Sequence, residues 1–147
     1  MRKILPPILF MVAIMLMVMV HIVLPVTQLI HPPYQWFGIV IICIGLGIST
    51  WHNRLFDRIG TNIYTFKEPG VFVTEGLFQI SRNPMYLGFV LSLIGVSILL
   101  GSLAPFTVVA LFVSITDRWY ISFEERAMAE KFGQTYLDYK RRVRRWI

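Results

Sequence analysis

Four long apolar runs constrain what this chain can fold into more than any other feature of its sequence. The first extends from Ile4 to about Leu24 without Asp, Glu, Lys or Arg. A bilayer core of about 30 Å needs about 20 apolar residues in a helix, so such runs predict membrane-spanning helices. We predict spans over residues 4–24, 36–51, 84–103 and 105–122, then an amphipathic, cytoplasmic C-terminal helix over about 123–145.

Composition supports the same class and narrows the partners. Hydrophobic residues make up 56% of the 147 positions and charged residues only 15%, with a net charge of +6. We therefore predict an all-α integral membrane protein with a single domain over residues 1–147. Five basic residues stand near the end of the chain: Lys140, Arg141, Arg142, Arg144 and Arg145. Because the basic residues lie beside hydrophobic segments, the lipid bilayer and its anionic headgroups fit them better than nucleic acid.

The first run is too long for the h-region of a signal peptide, and no small-residue cleavage site follows it. We therefore predict a retained span. The single cysteine, Cys43, lies inside the second run. One cysteine excludes an internal disulfide and a cysteine-rich metal site, and the histidines lack metal-ligand spacing, so we expect no metal.

Loop charges predict the orientation of the chain. Basic residues occupy the N-terminus, the 52–82 connector and the C-terminus, whereas the 26–35 loop and the 101–105 hairpin have no Lys or Arg. By the positive-inside rule both termini are cytoplasmic, and an even number of spans returns the chain to its starting side. We place the protein in a prokaryotic cell membrane.

Small residues on the second and third runs predict where two helices meet. Gly38, Gly45 and Ser49 follow one another at helical spacings of seven and four, and Gly88 and Ser92 form a small-xxx-small pair. Small side chains at such spacing let helix backbones approach closely. After the second run, apolar residues at helical spacing predict a short interfacial helix from residue 52, ending near residues 60–62 before a loop. The alternative for this stretch is a solvated connector.

A polar block from Val73 to Gly88 separates the second and third runs. Gly76 predicts a turn, and Pro84 suits the first turn of a helix. Asn83 can cap that helix through its side-chain oxygen. With Arg82 beside it, the free N–H groups of the helix start favour an anion. The alternative is an ordinary capped spanning helix whose arginine touches lipid phosphate.

Charged residues at the end of the fourth run form a second polar cluster. On a regular helix, Asp117 and Glu124 share one face, while Arg118 and Glu125 share the neighbouring one. Such charges at a membrane boundary face either a polar cavity or each other. Beyond them, apolar residues recur every three or four positions as an amphipathic stripe, at Met128, Phe132, Tyr136, Tyr139, Val143 and Trp146.

Two motifs carry a family resemblance. The block G-L-F-Q-I-S-R-N-P-M-Y-L-G and the later block E-E-R-A-M-A-E-K-F-G-Q-T-Y-L-D-Y-K-R-R-V resemble the isoprenylcysteine carboxyl methyltransferase and phospholipid methyltransferase family. These are integral-membrane enzymes that use S-adenosyl-L-methionine. The matching residues are Arg82, Asn83, Pro84, Tyr86 and Gly88, then Glu124, Glu125, Phe132, Gly133, Tyr136 and Tyr139.

The resemblance implies a cofactor pocket at the cytoplasmic ends of the last two spans, capped by the C-terminal segment. Its cofactor-binding positions are Gly70, Val71, Phe72, Val73, Phe78, Asn83, Pro84, Met85, Tyr86 and Glu124. It further implies catalytic roles for Arg82, Glu124 and Tyr86, and acceptor binding by Arg118 and Tyr120. Two positions depart from the family: Asn83 replaces a histidine, and Tyr120 stands where the eukaryotic carboxyl methyltransferases have an arginine.

The physical chemistry of the residues fits that cofactor. A helix start with Arg82 suits a carboxylate, and Glu124 suits ribose hydroxyls or an ammonium group. An aromatic face such as that of Phe78 or Tyr86 attracts a sulfonium cation. We therefore predict methyl transfer to a lipophilic acceptor, an isoprenylcysteine-like carboxylate or another membrane-borne group. The alternatives are a phospholipid amine or small thiol acceptor, and a non-catalytic membrane interaction protein.

Overall fold

The computed structural model describes residues 5–24, 28–59 and 72–147, and the regular structure in these ranges is helical. The helices are α1 (Pro6–Val23), α2 (Phe37–Ile59), α3 (Pro84–Leu100), α4 (Ala104–Ile115) and α5 (Ser122–Arg142). A π-helix, Thr116–Ile121, joins α4 to α5, and short 3-10 turns span Tyr34–Trp36 and Gly76–Gln79. The predicted cofactor residues Gly70 and Val71 lie outside the described residues, as does the predicted helix end at residues 60–62.

Three helices in these ranges are long and apolar enough to cross a membrane. They are Pro6–Val23, Tyr34–His52 and the continuous helical stretch Ala104–Arg142, while α3 is a shorter apolar helix of 17 residues. Large apolar side chains remain exposed along α1 and α2, as a lipid-facing surface requires. They include Met11, Met15, Met19, Ile22, Ile39, Val40 and Ile44.

The second predicted span, residues 36–51, agrees with the apolar stretch Tyr34–His52, which is long and apolar enough to cross a membrane. Helix α2 itself continues beyond that stretch to Ile59. Neither Gly nor Pro interrupts the backbone between Trp51 and Ile59, so the helix does not stop where the apolar run stops. The helix expected from residue 52 is therefore the last part of α2.

Helix α3 lies at the centre of the bundle. It is apolar on all sides, as expected for a helix surrounded by other helices. Phe89 stacks on Phe10 of α1 with ring centroids 4.6 Å apart. Leu93 is fully buried in a core shared with α1 and α4, whose members include Met17, Val108 and Phe112.

Small residues bring α2 and α3 into backbone contact, which confirms the predicted close packing. A Cβ built on Gly45 would lie 2.5 Å from the Gly88 carbonyl oxygen and would also collide with Ser92 Oγ. Near the other end of the contact, a Cβ on Gly95 would lie 2.7 Å from Gly38 O. The Ser49 hydroxyl donates to the Met85 carbonyl at 3.2 Å. Van der Waals contact and this hydrogen bond hold the pair together.

We expect Gly45→Ala to destabilise the bundle and Gly47→Ala to leave it unchanged or slightly more stable. Both substitutions add one methyl group to α2, but a Cβ at Gly47 meets nothing within 4 Å among the described residues. Overpacking at Gly45 should cost about 1–3 kcal/mol, while alanine at an open helix position gains up to about 1 kcal/mol. The free energy of unfolding, measured by denaturant titration in detergent, checks this. Equal values for the two variants would contradict the close contact.

The hairpin between α3 and α4 forms as predicted. Gly101 ends α3 with φ of 73°, a left-handed conformation that favours glycine, and its N–H donates to Ser97 O and Ile98 O. Its carbonyl accepts from the backbone N–H groups of Leu29 and Ile30 at 2.8 and 3.1 Å. The segment before α2 is thus tied to the hairpin at this end of the bundle.

The helical stretch after Ala104 is not regular. The prediction that Asp117 and Glu124 share one face assumed a regular α-helix through this stretch. The Thr116 hydroxyl donates to Phe112 O and Val113 O, where the π-helix begins. Ser122 Oγ donates to Asp117 O where it ends. Hydroxyls that bond to helix carbonyls are a recognised cause of such irregularities. Gly133, with φ of 51° and ψ of −127°, then bends α5 sharply.

Candidate functional site

The candidate site lies at the end of the bundle where α3 begins and α4 passes into α5. Three segments meet there: residues 72–83, the π-helix with the first turns of α5, and residues 143–147, which we call the closing segment. Gly76 has φ of 60°, so the predicted glycine turn is confirmed, and a one-turn 3-10 helix follows it. This turn leads the chain into Ser81 and Arg82 below the start of α3.

Two residues predicted for the site meet directly. The Tyr86 hydroxyl donates to Glu124 Oε1 at 2.9 Å. Tyr86 is 2% exposed, and its ring centroid lies 6.3 Å from that of Tyr120, which is also buried. The hydrogen bond joins the first turn of α3 to the first turn of α5. The two sequence motifs therefore form one structural unit.

Glu125 is the centre of the charge cluster. Its Oε1 lies 3.0 Å from Arg82 Nη2, and its Oε2 lies 2.7 Å from Arg145 Nη2 and 3.3 Å from Lys140 Nζ. Arg145 Nε adds a second bond to Oε1 at 3.1 Å, which makes the Arg145–Glu125 pair bidentate. Arg82 therefore pairs with Glu125, while Glu124 pairs with Tyr86.

The expectation that Asp117 shares a face with Glu124 is wrong. Arg145 Nη1 binds Asp117 Oδ2 at 3.0 Å while the same guanidinium holds Glu125, so these two carboxylates lie together. The π-helix between them has i→i+5 hydrogen bonds instead of the i→i+4 bonds of an α-helix. The positions that share a face are therefore shifted by about one residue. Trp146 completes this part of the cluster by donating its indole N–H to Asp117 Oδ1 at 3.0 Å.

Arg145 was expected to meet lipid headgroups, and this expectation is also wrong. Its side chain is 30% exposed and points into the cluster. The hydrogen bond to Glu125, followed by the attraction of Glu125 and Asp117, raises the pKa of Arg145 above its usual value. Arg141 and Arg142 stay exposed, so a basic surface remains on α5.

Arg82 is buried with unused hydrogen-bond capacity. Its side chain is 8% exposed, and only Nη2 pairs with Glu125. Among the described residues, no acceptor forms a hydrogen bond of acceptable geometry with Nε or Nη1, although Tyr136 lies beside the guanidinium. Buried polar groups without partners are costly, so two such donors on one side chain point to a ligand.

Asn83 does not cap α3 with its side chain, contrary to the prediction. Its Nδ2 donates instead to the carbonyl oxygen of Arg145 at 3.0 Å, and its own carbonyl accepts the first helical bond, from Leu87 N. Ser81 Oγ also donates to Arg145 O, at 3.4 Å. The Asn83 amide therefore binds the closing segment.

An aromatic layer joins the 72–83 segment to α5. The Phe72 ring lies 5.4 Å from Phe132 and 5.3 Å from Tyr139, and the Tyr139 hydroxyl donates to Phe78 O at 2.7 Å. The predicted stripe thus packs against the bundle, and the kink at Gly133 gives α5 the direction to do so. Phe78 is buried against the His52 ring at 5.4 Å, so α2 supports it.

The remaining predicted residues lie in the first turn of α3, near the start of the 72–83 segment and on the π-helix. Pro84 and Met85 are buried in the first turn of α3, and Val73 is buried beside the aromatic layer. Arg118, predicted to bind the acceptor, is exposed. Sequence reasoning gave no site role to Lys140, Arg145 or Trp146, because their partners lie 15 to 29 residues away.

The fold and the buried charges define the class: an integral membrane protein of apolar helices with a polar site at one end. The family model described as phospholipid methyltransferase matches residues 33–135, more than half of the chain. The chain therefore belongs to the phospholipid methyltransferase family, and the resemblance carried by the two motifs is confirmed.

Curated relatives agree with this family. Over 112 residues the chain is 35% identical to protein-S-isoprenylcysteine O-methyltransferase B of Arabidopsis thaliana, covering 73% of this chain and 55% of that protein. It is 33% identical over 104 residues to methanethiol S-methyltransferase 1 of Bradyrhizobium diazoefficiens, covering 65% of the chain and 34% of the relative. The chain thus spans about half the length of the first relative and about a third of the length of the second. No solved structure matches it significantly.

Proposed function

We propose that this protein transfers a methyl group from S-adenosyl-L-methionine to a lipophilic acceptor at the cytoplasmic end of the bundle. The observation that carries the proposal is the Tyr86–Glu124 hydrogen bond, which joins the two family motifs beside the buried donors of Arg82. Family membership supports the reaction class, methyl transfer. The buried N–H donors of Arg82 support the choice of cofactor, because they suit its carboxylate.

The residues present fit the charged groups of this cofactor. Nε and Nη1 of Arg82 are suited to a carboxylate, because a guanidinium presents several N–H donors in one plane. Glu124, which accepts from Tyr86, is a carboxylate, and a carboxylate suits an ammonium group or a ribose hydroxyl. The aromatic faces of Tyr86 and Tyr120 suit the sulfonium.

When bound, the cofactor supplies an electrophilic methyl carbon: a bond from the acceptor heteroatom to carbon forms as the carbon–sulfur bond breaks. The protein aligns the two reactants and excludes water. Tyr86 and Tyr120 are buried aromatic side chains suited to excluding water from the reacting groups. A protonated acceptor gives its proton to solvent.

The acceptor is proposed to enter from the bilayer. Trp119 is 74% exposed on the same π-helix that buries Tyr120, so this helix faces both the surroundings and the site. One relative's name specifies an isoprenylcysteine and another's specifies methanethiol. A lipophilic acceptor is favoured, since a site at the end of apolar helices meets the bilayer; a small thiol is the second candidate.

The proposed membrane arrangement counts α3 as the third of four spans and makes both termini cytoplasmic. Its pairing with α2 supports this, because a 17-residue apolar helix in backbone contact with a spanning helix shares its depth. Ile30→Cys, in a chain with Cys43→Ser, tests the orientation. Labelling from the cytoplasmic side alone would contradict it.

Incubation of the purified protein with methyl-labelled cofactor and a membrane extract is expected to give a labelled lipophilic product. A series of acceptors with one headgroup and increasing alkyl length then tests entry from the bilayer. Apparent affinity should rise by up to ~0.8 kcal/mol per buried methylene, after correction for partition into detergent. A flat response, with a short soluble thiol methylated equally well, would favour the second candidate. Complete absence of transfer and of cofactor binding would favour a non-catalytic interaction protein.

A further inference from the structure

We infer that Arg145, in the closing segment of residues 143–147, is a positioning residue that acts through Arg82. The inference rests on the proposed function and deepens it. The second motif of the family resemblance ends at Val143, so Arg145 lies outside both motifs. The closing segment follows the end of α5 at Arg142, where Val143 adopts an extended backbone with φ of −116° and ψ of 131°.

Backbone contacts place the closing segment beside the residues that precede α3. The Arg82 N–H donates to Arg144 O at 3.1 Å. One residue on, Arg145 O accepts from the Asn83 amide at 3.0 Å. The segment therefore lies along the backbone of residues 81–83 and restrains the position from which the Arg82 side chain starts.

Side-chain contacts fix the other end of Arg82. The Arg145 guanidinium holds Glu125 through two bonds and Asp117 through a third. Glu125 Oε1, oriented in this way, accepts from Nη2 of Arg82 at 3.0 Å. Arg145 thus fixes the orientation of the Glu125 carboxylate, and this carboxylate holds Arg82 through Nη2. Nε and Nη1 of Arg82 then remain for a ligand.

A network of this form explains why the closing segment carries an arginine and a tryptophan beyond the family motifs. Trp146 donates to Oδ1 of Asp117 and Arg145 to its Oδ2, so both oxygens of this carboxylate are engaged within the cluster. A planar guanidinium satisfies two carboxylates in one arrangement, which an ammonium group cannot reproduce. The expected function of the segment is to keep Arg82 oriented before the cofactor arrives.

The test is a double-mutant cycle on S-adenosylmethionine affinity, measured by calorimetry in detergent. Arg145→Ala is expected to weaken binding by about two- to thirtyfold, the range for residues that act through a neighbour. In an Arg82→Ala background the same substitution should change affinity by less than about twofold. Arg145→Lys keeps the charge but not the fork, and should lose most of the affinity. Arg141→Ala, whose side chain pairs only with exposed Asp138 among the described residues, is the matched control.

A second readout does not depend on the cofactor. Amide hydrogen exchange of residues 80–87 should accelerate in Arg145→Ala and remain unchanged in Arg141→Ala, because the Arg82 N–H loses its restraint. An equal loss of affinity in both Arg82 backgrounds would overturn the inference, and so would unaltered exchange. A failure of the proposed function is distinguishable, since the unsubstituted protein would then bind no cofactor while the exchange comparison still decides on the closing segment.

Discussion

Arg82→Ala is expected to weaken S-adenosylmethionine binding by about ten- to a hundredfold while the helical bundle stays folded. The expected loss corresponds to a charge-assisted hydrogen bond of about 1.5–3 kcal/mol. Folding should survive because Glu125 keeps Arg145 and Lys140 as partners. Glu124→Ala should give a similar loss, since it removes a carboxylate that Tyr86 holds at 2.9 Å.

Calorimetry with each purified variant measures these affinities, and the thermal unfolding midpoint reports the fold. Arg126→Ala is a suitable control, because Arg126 is exposed and its side chain bonds only to the Ser122 carbonyl among the described residues. Unchanged affinity in both Arg82→Ala and Glu124→Ala would remove the two residues from the cofactor site. The proposed donor set would then be wrong.

Glu125→Ala is expected to lower the free energy of unfolding by about 3–5 kcal/mol, the cost of breaking a buried ion pair from one side. Its side chain is 6% exposed and faces three cations. Lys140 can turn to solvent, and Arg145 keeps Asp117. Arg82 has neither option: it is 8% exposed, and Glu125 is the acceptor of its one paired nitrogen among the described residues.

Denaturant titration in detergent checks this prediction. Asp138→Ala removes a carboxylate from the same helix, but one that is 53% exposed and 3.7 Å from Arg141. An exposed pair contributes about 0–1 kcal/mol, so this variant should unfold close to the unsubstituted protein. If the two substitutions lowered the free energy of unfolding equally, the burial of Glu125 would not be the cause of its contribution to stability.

The two substitutions at the Arg82–Glu125 pair should thus separate function from stability. Removing the arginine leaves a carboxylate with two remaining cations, whereas removing the carboxylate leaves a buried guanidinium with no counter-charge. The asymmetry is physical: an uncompensated buried charge carries the full desolvation penalty. A variant pair with the opposite pattern would contradict the geometry of the cluster.

Much of the helical architecture could be predicted from the sequence because local rules decide it. The length of the first apolar run sets a spanning helix, now Pro6–Val23. Small residues at helical spacing predicted close helix packing, which the structure shows where Gly45 meets Gly88. Gly76 and Gly101 predicted turns, and both adopt positive φ. Each of these features depends on neighbours within a few residues or on a single periodicity.

Part of the site could also be predicted. The motifs included Tyr86 and Glu124, which form a hydrogen bond, and Arg82, which is buried and pairs with Glu125. What the motifs could not show was the partner of each charge. Glu124 and Glu125 are adjacent, and either can face Arg82 until the phase of the helix is known.

Only the tertiary structure decided that phase and the place of the closing segment. The π-helix Thr116–Ile121 changes the residues that share a face, so Asp117 aligns with Glu125 rather than with Glu124. The Asn83 amide binds a carbonyl 62 residues further along the chain, and Arg145 binds carboxylates 20 and 28 residues before it. Pairings over such distances have no local signature, because they depend on where whole helices pack. The sequence by itself therefore determined a helical membrane protein with a family site, and the packing of its helices selected the charges that meet there.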